Sequence, residues 1–148
     1  MNTVLGAKGG PVETAWATAL ATPRAGHSAF VVVVRPNLPV KPATLFVNKA
    51  DIRGDEHAAL TWGAAQAGVA RGVLAAVADG VVPPGDADEL LLIAAVWVDW
   101  AADEEETVYA NNFEATRAAL GAGAEGRPRL EELLAVREEP TNPFFRRA

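Results

Sequence analysis

The sequence contains no cysteine. That absence excludes disulfide scaffolds, cysteine-ligated zinc, iron–sulfur clusters and thiol catalysis together. It has two histidines, His27 and His57, neither set beside a carboxylate at a fixed spacing. Isolated histidines of this kind are more often packing or surface residues than bases or ligands, so no metal site is expected. A basic excess is missing too. Thirteen Lys and Arg stand against 19 Asp and Glu, a net charge of −6. This argues against nucleic acid and anionic membrane as partners. The longest apolar run, Leu90 to Val98, is far short of the ~20 residues that span a bilayer. The first residues, Met1 to Trp16, lack the basic start and apolar run of a secretory signal. These absences together point to the cytoplasm.

What is present suits one ordinary domain over residues 1–148, with 50% hydrophobic and 22% charged residues. The chain opens in a strand, Met1 to Leu5. A glycine turn follows, then a helix from Pro11, a residue suited to a first helical position, to Ala21. The β-branched run Ala29 to Val34 reads as a buried strand. Three prolines between Pro36 and Pro42 predict a stiff extended loop, and Ala43 to Lys49 the next strand. Helices are expected over Asp55–Trp62 and Ala64–Asp79, with Gly63 as the break. Leu90 to Trp100 reads as a third long strand and Asp103 to Leu120 as a helix with an acidic first turn. Gly121 to Arg129 reads as a connection and Leu130 to Val136 as a short helix before an extended tail. Alternating strands and helices predict a single-domain α/β (α+β) fold, a sheet covered by helices. The four tryptophans are enough surface for a subunit interface, although core packing is the commoner role.

Few residues offer chemistry. The acidic pairs at Asp86, Asp88 and Glu89, and at Asp103 to Glu106, read as solvated caps. Gly6 to Gly10 before a helix is a weak anion cradle, matching neither common phosphate-loop pattern. Asn48-Lys49 at a strand end stands where α/β proteins often present ligand groups. Gln66 carries both a donor and an acceptor that suit the amide edge of a heterocycle.

The run Pro36-Asn37-Leu38-Pro39-Val40-Lys41-Pro42-Ala43-Thr44-Leu45-Phe46-Val47-Asn48-Lys49 is distinctive. It resembles the signature of the formaldehyde-activating enzyme family. Four more blocks agree in order: Gly6 to Ala15, Trp62 to Ala70, Asn111 to Thr116, and Thr141 to Phe144. The resemblance covers essentially the whole chain. It implies condensation of formaldehyde with tetrahydromethanopterin to methylene-tetrahydromethanopterin and water. It also implies a ribosomal-protein-S5-domain-2-like fold and a homopentamer with the pterin in clefts between subunits. The pterin is a substrate, and no permanently bound cofactor is implied.

Matched to the family's substrate positions are Asn2 (an aspartate in the family), Val31 (a leucine), Lys49 (retained), Asp51 (a threonine) and Gln66 (retained). The family's acid histidine, counted back from Gly6, falls immediately before Met1, so the resemblance assigns no catalytic residue within the chain. Two readings follow. One is the family's hydro-lyase. The other is a paralogue that binds a pterin or formaldehyde as carrier or sensor.

Overall fold

The computed structural model describes residues 1–142 and Phe145; Pro143 and Phe144 of the tail block lie outside the described residues. The main sheet has four strands in the order β1-β6-β5-β2, where β1 is Asn2–Ala7, β2 is Ala29–Val31, β5 is Ala43–Asn48 and β6 is Leu90–Val96. β5 and β6 run parallel, joined by a helical crossover, while β1 and β2 pair antiparallel on the two edges. The fold is therefore mixed α/β, with helices on both faces of one sheet.

One face is closely packed. Phe46, Leu92, Ala94 and Val96 meet Leu60, Ala65, Val69, Val73 and Ala76 of the crossover helices, and Val108 and Leu120 of α4 (Glu105–Ala124), all buried. Phe46 stacks on Phe30 with ring centroids 4.8 Å apart. The crossover helix α3 (Gln66–Ala78) approaches α4 through two glycines four residues apart, hence on one helix face. A Cβ on Gly68 would meet Tyr109 and Asn112, and one on Gly72 would meet Thr116 and Phe113. Side chains at those two positions would push the helices apart.

The other face carries only α1 (Pro11–Ala21), in which no residue is fully buried. Pro11 opens that helix, and Thr22 closes it by bonding back to the Thr18 carbonyl, so the predicted bounds hold to the residue.

Four segments depart from the sequence expectation; the first is the glycine-rich connection from Gly121, which is helical as far as Ala124 as the end of α4. The run Ala29 to Val34 is not one strand. At Val32 the ladder bends: Val32 N–H still donates to Thr44, but its carbonyl accepts from Val40 of a small hairpin. That hairpin joins β3 (Val33–Arg35) to β4 (Leu38–Pro39) through Asn37, which holds a left-handed φ of 64°. The proline-rich segment is thus part strand, at an edge where a missing N–H is tolerated. Gly63 does not break the helix either. It sits in a π turn, Leu60–Ala65, that joins α2 (Gly54–Ala59) to α3 without interruption. Finally, β6 ends at Val96, and Trp97 and Trp100 lie in the following loop, both about half exposed, as is Trp62. None of these three is a core residue. The last helix, α5, spans Leu130–Ala135.

Candidate substrate-binding site

At the end of β5 the chain makes a tight, self-bonded turn. Asn48 is fully buried, and both ends of its amide are used. Its Nδ2 donates to the Ala50 carbonyl and, at 3.5 Å, to the Gly26 carbonyl, while its Oδ1 accepts from Ala50 N–H at 3.2 Å. The Lys49 N–H continues the ladder to the Val96 carbonyl at 2.8 Å. Asn48 thus fixes the backbone from which Lys49 and Asp51 project, and both of those residues are exposed. The Asp51 carbonyl accepts from Trp100 Nε1 at 2.9 Å, and the Arg53 guanidinium lies 3.6 Å from the centroid of the Trp100 ring. His57 completes the clamp from below: Nδ1 accepts from Arg53 N–H at 3.2 Å, and Nε2 donates to the Val98 carbonyl at 3.1 Å. His57 is buried with both nitrogens occupied, a packing role of the kind expected from the sequence.

The pleat sets which residues share a face. Ala29, Val47, Ala95 and Asn2 lie in one row across the sheet. Val31 and Lys49 are each two residues from a member of that row, so they stand on the same face, the one α1 covers. α1 leaves the β5–β2 side of that face open as a groove of about 450 Å³. Its lining includes Thr14, Thr18, Arg24, His27, Ala29 and Val47. Asn2, Val31 and Lys49 therefore share one face of the sheet, and Asp51 follows Lys49 in the turn beyond its end.

Gln66 does not join them. It begins α3 on the opposite layer, and its Oε1 accepts from Val33 N–H at 2.7 Å, just past the bend at Val32. Because the partner is a backbone donor, the oxygen must face it, which leaves both amide hydrogens and one oxygen lone pair for a ligand. The donor-and-acceptor reading of Gln66 shifts toward a donor. Val32 pairs with Thr44, which lies five residues of strand from Lys49, roughly 16 Å. The sheet also stands between them. The π turn immediately before Gln66 helps set the side chain's direction, since an extra residue per turn rotates all that follows. Within that turn, the fully buried Thr61 hydroxyl has no partner.

The remaining sequence candidates are occupied by the chain itself. In the glycine turn, Gly9 N–H donates to Glu13 Oε2 at 2.8 Å, and Lys8 Nζ donates to the Asp88 carbonyl. The turn is a helix start, not an open cradle. Asp88 also pairs with Lys41, whose ammonium, by hydrogen bond and charge, holds the carboxyl below its ordinary value of 3.8. No cluster of three or more metal-ligating side chains occurs among the described residues, and none of their helices is long and apolar enough to cross a membrane. The sequence pointed to Lys49 but not to the neighbours that hold it. The signal that could have found them is Asn48 itself, a residue that often bonds backbone two positions on.

Comparison with known proteins adds independent findings. A family model described as formaldehyde-activating enzyme matches residues 1–145. A 5,6,7,8-tetrahydromethanopterin hydro-lyase of Methanosarcina barkeri is 44% identical over 144 residues, 97% of this chain and 81% of the relative. A bifunctional enzyme Fae/Hps of Methanothrix thermoacetophila is 37% identical over 98% of this chain and 37% of its own length. One of Archaeoglobus fulgidus is 33% identical over 99% and 37%. The chain spans little more than a third of these bifunctional relatives.

Proposed function

Because the chain belongs to the formaldehyde-activating enzyme family, we propose that it condenses formaldehyde with tetrahydromethanopterin, yielding methylene-tetrahydromethanopterin and water. A pterin amine adds to the aldehyde carbon, the resulting hydroxyl departs as water, and the second nitrogen closes the ring. The addition places negative charge on the aldehyde oxygen. Lys49, an exposed ammonium on a backbone fixed by Asn48, supplies a cation for it. Gln66 donates its amide hydrogens to an acceptor of the pterin ring. Val31 provides an apolar wall, and Asn2 and Asp51 offer polar contacts at the same end of the sheet. Departure of the hydroxyl requires a proton donor. Neither chain histidine is placed to give it: His57 is buried with both nitrogens bonded, and His27 lines the groove beside α1.

The observation that carries this reading is that Lys49 and Gln66, both matched to the family's substrate positions, lie on opposite sides of one sheet. A single pterin touching both must lie between two copies, which supports a homo-oligomer, a pentamer by the family's pattern, acting in the cytoplasm without a resident cofactor.

The test follows methylene-tetrahydromethanopterin formation against the spontaneous rate, with pterin titrations of three proteins. Gln66→Glu keeps the acceptor for Val33 N–H but removes both donors, and is expected to lose about tenfold in pterin affinity. Gln66→Ala loses both functions and adds a stability defect. Wild-type affinity in Gln66→Glu would remove Gln66 from the site. Saturable pterin binding with no rate above background would make the chain a carrier or sensor.

A further inference from the structure

The C-terminal arm leaves the body as an uncovered amphipathic segment. Every described residue from Gly123 onward is exposed. α5 carries Leu130, Leu133 and Leu134 at 68%, 50% and 49% exposure. Their spacing of three and four puts them on one face. The helix is nonetheless well formed: Glu132 accepts from Arg129 N–H at 2.8 Å and reaches Arg127 at 3.4 Å. A capped helix with an apolar stripe open to water lacks the partner that would bury it.

The groove beside α1 has the complementary character. Pro11, Thr14, Ala15, Thr18, Ala19 and Thr22 form one face of α1 by the same spacing, all small, against Ala29 and Val47 of the sheet. Large side chains on one helix and small ones on the other allow close packing. Arg24 is the cation that lines the groove, and His27 lies beside it. The charged side chains of α5 are Glu131 and Glu132. Shape and charge therefore agree.

A chain's own arm does not reach. Arg127 sits beside Thr3 and Leu5 of edge strand β1, on the α3–α4 side. Leu130 follows three residues later, and Leu134 one helical turn beyond, a span of at most about 16 Å. The groove lies on the opposite face, two to three strands away and beyond α1 itself, on the order of 20 Å or more. We propose that α5 of one copy docks in the α1–β2 groove of a second copy, with Leu130, Leu133 and Leu134 against the small face of α1 and Glu131 near Arg24.

The absence of native cysteine makes the test direct. Ala19→Cys and Leu133→Cys, prepared separately with one chain enlarged by a tag, are mixed and mildly oxidised. The expected result is a disulfide-linked heterodimer on a non-reducing gel. Arg24→Glu in the first chain should lower its yield about tenfold, and Glu131→Arg in the second should restore it. The double variant Ala19→Cys/Leu133→Cys decides the alternative of the arm folding back. Thiols consumed in a species of monomer size would overturn the proposal, as would thiols that stay free in the mixture. No pterin is used, so the outcome is independent of the proposed reaction.

Discussion

The two faces of the sheet differ sharply in how completely they are covered. On one, α3 and α4 approach through Gly68 and Gly72 and exclude water from Phe46, Leu92 and Val96. On the other, α1 buries none of its own residues fully, and Val4 stays 52% exposed. Four of the five candidate substrate residues belong to the open face or its end. The closed face supplies the cooperative core that makes the domain stable, and the open face keeps backbone and side chains available for a ligand or a second chain. Gln66 is the instructive exception. It starts a helix of the closed layer, and it reaches the surface only where the β2 ladder bends away at Val32.

Truncating a buried residue of the closed face must therefore cost more than truncating an exposed one of the open face. Phe46→Ala should lower unfolding free energy by about 3–5 kcal/mol in urea denaturation. Val4→Ala should cost under about 0.5 kcal/mol in the same experiment. Similar losses would erase the distinction. Asn48→Leu, at the junction of the two faces, should cost about 2–3 kcal/mol, because it strands the Ala50 N–H and two carbonyls in a buried site. It should also weaken pterin binding through Lys49, an effect that Phe46→Ala should lack once both proteins are compared well below their unfolding midpoints. Thr61→Val removes an unpartnered buried hydroxyl, and a gain of about 1 kcal/mol is expected; a loss would mean that the hydroxyl bonds to something in solution. The smallest effect concerns acid. The lowered carboxyl of Asp88 stabilises the fold above its unfolded value near 3.8, and that contribution disappears as pH falls through the folded value. Asp88→Asn should lose that small contribution at neutrality and flatten the stability profile below about pH 4.

Several elements were legible because their signals are local. Proline at the first position and Thr22-Pro23 at the end bracket α1 to the residue. The β-branched run from Ala29 predicts extended backbone, but nothing in it says that the chain changes partner at Val32; that choice depends on Thr44 and Val40, which are distant in sequence. Gly63 carries a real helix penalty, yet the flanking turns of α2 and α3 are held by core contacts and absorb it as a π turn. Leu90 to Val98 is apolar throughout, yet β6 ends at Val96, where its partner β5 also ends at Asn48. The candidate site residues come from matching the family's positions. Their faces, and the clamp of Asn48, Trp100, Arg53 and His57, were not readable in advance.

By itself, the sequence determined the element types, the family and the chemistries that are absent, because each of these rests on residue identity or short-range spacing. Tertiary structure alone decided that Lys49 and Gln66 stand on opposite sides of the sheet, that the Gln66 oxygen is committed to the Val33 N–H, and that α5 faces no surface its own chain can reach. Those facts follow from strand order and layer packing, which are fixed by contacts between residues tens of positions apart and leave no periodic trace in the chain.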